Sequence, residues 1–140
     1  MCRTHNRLIF LSIFDNKIKY LRMKEPRENI RALLVQTTNI LPQKLRLPDR
    51  HYLLPSVAQV RDHMEDFQVL PYRSEAADCD NRALRLTAHF SGLGFAFGWA
   101  SIGEHDICVF LSDNMQIWYV EPSTCLIYPP DKDLTWAVFP

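Results

Sequence analysis

Glycine is scarce in this chain, with four residues in 140, and none forms the GxGxxG or GxxxxGK[ST] loops that cradle phosphates. Charge of one sign is missing too. Sixteen basic and sixteen acidic residues cancel, so the composition carries no electrostatic footprint for nucleic acid and no acidic tail. Four cysteines, Cys2, Cys79, Cys108 and Cys125, show neither CxxC spacing nor the density of a disulfide scaffold. They read as reduced thiols, which sets the expected location as cytoplasmic. Long apolar runs are also absent. Residues 8–14 are interrupted by Ser12 and stop at Asp15, far short of the ~20 residues that span a bilayer, and no small-residue cleavage site follows. Neither membrane nor signal peptide is expected. The HxE…PCxxC deaminase pattern and the GxSxG elbow are missing as well, and no cofactor or metal is called for.

Hydrophobic residues make up 47% of the chain, enough for a core in one domain of this length. Residues 7–14 and 17–23 read as a hairpin around Asp15-Asn16, giving an N-terminal extension over 1–24 before a domain over 25–140. Glu25-Pro26 opens a helix whose stripe is Ile30, Leu33, Leu34, Thr37 and Leu41, and Pro42 ends it. Residues 44–54 read as a connection. Pro55-Ser56 starts a second helix with Val57, Val60, Met64 and Phe67 on one face. His63 lies one position off that face and reads as a surface or boundary histidine. Asp78 is an N-cap for a third helix from Cys79 to about Phe90, stopped by Gly92 and Gly94. Strands follow over 95–101, 106–112, 116–120, 124–128 and 136–139. Helices first and antiparallel strands after predicts an α+β fold with the helices on one side of a small sheet.

Within this order, Cys79, His105 and Glu121 have the character of nucleophile, base and orienting carboxylate. Cys79 stands in an opening helical turn, where free N–H groups favour a thiolate and an oxyanion. Asp78 and Asp80 oppose that effect, and His105 is the cation that would offset it. A three-residue loop is expected over Asp113-Asn114-Met115, with Ser112 against Gln116, and His105 is expected to lie opposite Glu121. Gln68 or Tyr72, upstream of Cys79, is a candidate second oxyanion donor, and Trp118 or Trp99 a candidate cleft wall. The plain alternative is a helix cap, a buried thiol and a surface ion pair. A zinc set of Cys79, His105, Cys108 and Cys125 has legal ligands but not the spacing, because positions 105 and 108 project to opposite faces of a strand.

The stretch Asp78-Cys79-Asp80-Asn81-Arg82-Ala83-Leu84, the strand entered at His105, and Ile117-Trp118-Tyr119-Val120-Glu121-Pro122 resemble the papain-like cysteine-protease domain at the C-terminus of a mushroom agglutinin and its lectin-like relatives in phages and bacteria. Tyr52-Leu53-Leu54-Pro55-Ser56 is similar to that family's approach to its second helix, and the resemblance spans about residues 45–130. It implies a papain-like fold and a thiol hydrolase, a peptidase or amidase, with Cys79 as nucleophile, His105 as base and Glu121 as orienter, acting on a peptide or protein substrate. The chain departs from the pattern at Asp106, where a small residue is usual, at Cys108, where Asn is usual, and at Arg82, where an aromatic is common. The family's calcium ligands have no match here. The NlpC/P60 peptidases are a more distant likeness. The departures keep open a second expectation: an inactive papain-like fold, phage-encoded, that serves as a protein-binding module.

Overall fold

A computed structural model describes residues 24–65 and 78–140. The expected hairpin over 7–23, and Gln68 and Tyr72, lie outside the described residues.

A short strand β1 (Lys24–Pro26) leads into α1 (Arg27–Thr38). Pro26 takes the cap position with extended backbone, and Asn39 ends the helix in the left-handed conformation at φ 54°, which Asn tolerates better than most residues. The buried stripe is Ile30, Leu34 and Thr38. Leu41, expected on that stripe, is exposed, because the helix stops before reaching it. Residues 44–54 are more than a connection. They carry β2 (Leu45–Arg46) and β3 (His51–Leu53). Next comes α2 (Val57–Met64), opened by a capping box in which Ser56 and Gln59 bond each other's backbone. After α3 (Cys79–Gly92) the chain forms β4 (Phe97–Ser101), β5 (Asp106–Leu111), β6 (Ile117–Glu121), β7 (Leu126–Tyr128) and β8 (Trp136–Val138).

The strands make one six-stranded sheet, ordered β2-β8-β4-β5-β6-β7, and a two-stranded sheet of β1 and β3. All pairings are antiparallel except β2 with β8, which is parallel. The fold is α+β, as expected, but the helices do not share one side. Ile30 and Leu34 of α1 pack with Ile107, Val109, Leu111 and Tyr119 on one face. Val60 and Met64 of α2, with Ala83, Leu86 and Phe90 of α3, pack with Phe97, Cys108, Phe110 and Val120 on the other. The physical reason lies in β5. Ile107 to Leu111 are all buried, and a strand apolar on both faces has to be covered on both.

Candidate active site

Asp78 caps α3 by accepting the Asn81 N–H at 3.3 Å and its Nδ2 at 2.8 Å, so the expected cap is present. Cys79 follows as a half-buried free thiol. Asp80 shares a hydrogen bond with Asp78, which holds the Asp78 carboxyl below the usual carboxylate range and pushes Asp80 above it. The contact between the two carboxyls thus moves them in opposite directions beside one thiol.

Where the helix start lies on the sheet follows from three contacts. Phe90 stacks on Phe97 with ring centroids 4.3 Å apart, and Phe97 pairs with Phe110. About two turns earlier, Ala83 accepts a hydrogen bond from the Cys108 thiol at 3.4 Å, and Thr87 Oγ1 lies 3.8 Å from the same sulfur. The helix and β5 therefore advance together. Continued back by one turn, ~6 Å, that direction carries Cys79 toward the Asp106 end of β5. A second tie agrees: buried Arg82 donates from Nη1 to the Ser123 carbonyl at 3.2 Å. The first turn of α3 is thereby fixed to the turn that follows Glu121.

His105 occupies the residue before β5, where its carbonyl accepts the Ile102 N–H at 3.0 Å. Its Nε2 lies 2.6 Å from Glu121 Oε2. The other carboxylate oxygen accepts Ser123 Oγ at 2.8 Å and Ser123 N–H at 3.3 Å. Glu121 is thus held on both oxygens, and Nδ1 is the imidazole nitrogen left for chemistry. The side chains of His105 and Glu121 are 42% and 21% exposed, so solvent reaches the pair.

The expected loop is present, with the Ser112 N–H bonding the Gln116 carbonyl at 2.9 Å, but its register leaves His105 and Glu121 offset rather than opposite. Cys108 opposes Val120 and Leu111 opposes Ile117, a register that sets Glu121 level with Ile107. His105 reaches Glu121 diagonally, which long side chains span. The turn residue with positive φ is Met115, at 61°.

Among the described residues no hydrogen bond joins Cys79 to His105. Trp118 is not brought to the pair. It donates to Ser112 Oγ at 3.1 Å near the other end of β6. There it lines a groove of about 290 Å³ with Thr37, Met115, Gln116, Ile117 and Pro129. Trp99 donates to Asp106 at 3.0 Å and stands edge-on to Trp136, with centroids 5.4 Å apart. Cys108 is fully buried, and burial pushes its thiol far above the ordinary range. Burial also raises Cys125, with Arg82 partly opposing. Ser123 and Arg82 were not anticipated as parts of this site. Polar residues in a turn and a helix give no sign in sequence of the partner they meet across the fold.

No family model matches the sequence, and no curated protein does. Solved structures do. One is described as "Crystal Structure Analysis of Polyporus squamosus lectin bound to human-type influenza-binding epitope Neu5Aca2-6Galb1-4GlcNAc", with TM-score 0.64 and 19% identity. Another is the "PSL1a-E64 complex", with TM-score 0.68 and 19% identity. In each case the match covers 84% of this chain and 50% of the other, so the chain spans half the length of these neighbours. At this identity the likeness is one of fold. The neighbours go by the name of a lectin, and nothing in the comparisons supports the expected papain-like protease family or its labels of hydrolase, thiol protease and phage protein. That expectation is corrected. It rested on short Asp-Cys-Asp and Glu-Pro stretches, and these are residues that cap helices and turn strands in many settings.

Proposed function

We propose that the first turn of α3 and the His105–Glu121 pair form a site for thiol chemistry at an acyl carbonyl, with a peptide or isopeptide amide as substrate. The observation that carries the reading is the 2.6 Å contact between His105 Nε2 and Glu121 Oε2, with the carboxylate itself braced by Ser123. Such bracing fixes the tautomer that leaves Nδ1 as the base. Cys79 Sγ attacks the carbonyl carbon and passes its proton to Nδ1. The tetrahedral oxygen meets the Cys79 backbone N–H at the helix start. The imidazolium returns the proton to the departing amine, and water then releases the acyl group from sulfur. The missing Cys79–His105 hydrogen bond is compatible with a site that tightens on substrate.

The test is iodoacetamide labelling at about pH 6, read cysteine by cysteine by mass spectrometry, since an ordinary thiol of pKa ~8.5 reacts slowly there. Cys79 labels ahead of Cys2, Cys108 and Cys125, and His105→Ala abolishes the lead. E64, the compound in one neighbour's description, serves as a second probe of the same thiol. Slow, His105-independent labelling of all four cysteines rejects the reading.

A second reading is a binding module without chemistry. The lectin neighbour's complex with a sialylated trisaccharide favours it, as does the unbonded Cys79. Calorimetric titration with Neu5Acα2-6Galβ1-4GlcNAc tests it, and no heat of binding counts against a glycan-binding role for this half of the neighbour's length. Among the described residues no helix is long and apolar enough to cross a membrane.

A further inference from the structure

His63, the next-to-last residue of α2, and His89, in the last turn of α3, meet where the two helices pack. His89 Nε2 lies 3.3 Å from His63 Nδ1, and the rings are tilted by 52°. Phe90 stands edge-on to both, with centroids at 5.9 Å from His63 and 5.1 Å from His89, so one aromatic ring braces the pair. Both histidines are half-buried.

We propose that His63 and His89 form a two-imidazole site for a divalent first-row transition ion such as zinc, clamping α2 to α3. A nitrogen-to-nitrogen distance of 3.3 Å is long for a good hydrogen bond. It matches the ~3.3 Å that separates two nitrogens each 2.0–2.1 Å from one tetrahedral zinc. Imidazole is the ligand such ions prefer at neutral pH. The two imidazoles are the protein ligands of this proposed site, and among the described residues no cluster of three or more His, Cys, Asp and Glu adds to them. The protons balance. In the neutral pair one ring donates to the other. When the ion enters, that donor ring shifts its proton to its second nitrogen, and both facing nitrogens present lone pairs. At acid pH the ion must displace a proton, so affinity falls there.

The test is thermal unfolding of the full chain at pH 7.5 with EDTA or with excess zinc chloride. Zinc raises Tm saturably, by roughly 5–10 °C at about a hundred times Kd. His63→Gln and His89→Gln each remove the rise, whereas His105→Gln retains it. A rise that survives in both single variants places the ion elsewhere and overturns the proposal, as does no rise in the wild type. Should the variants not fold, nickel titration followed by NMR of the wild-type imidazole rings decides. The His63 and His89 signals broaden before those of His51 and His105, and any other order refutes the site.

Discussion

At the scale of single residues, three described thiols sit in three environments, and their reactivity should follow. Cys108 is fully buried, bonded to Ala83 and Thr87, and pushed far up by burial. It should resist alkylation in the folded protein even at pH 9 and label only after denaturant is added. Cys125, also raised by burial, should lag Cys79. Glu121→Gln preserves size but removes the acceptor that fixes the imidazole, and should slow Cys79 labelling at pH 6 by roughly tenfold or more. An unchanged rate in that variant would separate Glu121 from the thiol. The sequence pointed to His105 and Glu121 as a pair, because a base and a carboxylate fell near one another on successive strands. The three-residue loop it predicted formed, but the register leaves the two residues offset, not opposite. Side-chain reach made the contact from a diagonal position, and reach is not written in the spacing. Ser123 and Arg82, which brace the site, were illegible because their partners lie on other elements.

At the scale of elements, caps and breakers carried the most information. Asp78 and the glycines after Phe90 bounded α3, and Asp78 bonds as a cap residue should. The Ser56–Gln59 box at α2 follows the same local logic. Ser56→Ala should cost about 1 kcal/mol, measurable by urea unfolding as a lower midpoint with unchanged slope. Within β4 the constraint is steric. A Cβ on Gly98 would lie 2.7 Å from the Val138 carbonyl and 2.8 Å from the Phe139 ring. Gly98→Ala should therefore cost about 1–3 kcal/mol through overpacking, and its Tm should fall accordingly. The placement of helices on both faces was legible in principle, since residues 107–111 are an unbroken apolar run. Reading that run as one half-buried strand put all the helices on one side.

At the scale of the whole molecule, the tyrosines between β6 and β7 set an alkaline limit. Tyr119 and Tyr128 stand edge-on with centroids 5.8 Å apart, and Tyr119 donates to the Lys132 carbonyl at 2.6 Å. Burial pushes Tyr128 up to about 12 and Tyr119 further, with nearby carboxylates adding to both. Raised phenols bind their protons more tightly in the folded state. The stability they confer is whole below about pH 10, the unfolded value, and is lost as pH climbs through the folded values. Tm should hold to pH 10 and then fall, and Tyr128→Phe should flatten part of that fall. A Tm that declines equally in the variant would assign the loss to other groups. Long-range order of this kind was beyond the sequence, as was the parallel pairing of Leu45–Arg46 with Ala137–Val138, because nothing local to either segment names a partner some ninety residues away.

That pairing also sets a timetable. β8 comes last among the strands, yet it lies between β2 and β4 inside the sheet. While the chain is being synthesised, β2 has no neighbour and β4 keeps one bare edge until residue 138 has cleared the ribosome. The hairpins from β4 to β7 can form as they emerge, but the sheet closes only afterwards, in a single late step. A nascent chain stalled before Trp136 should therefore remain open to protease and dependent on chaperones, however complete its helices.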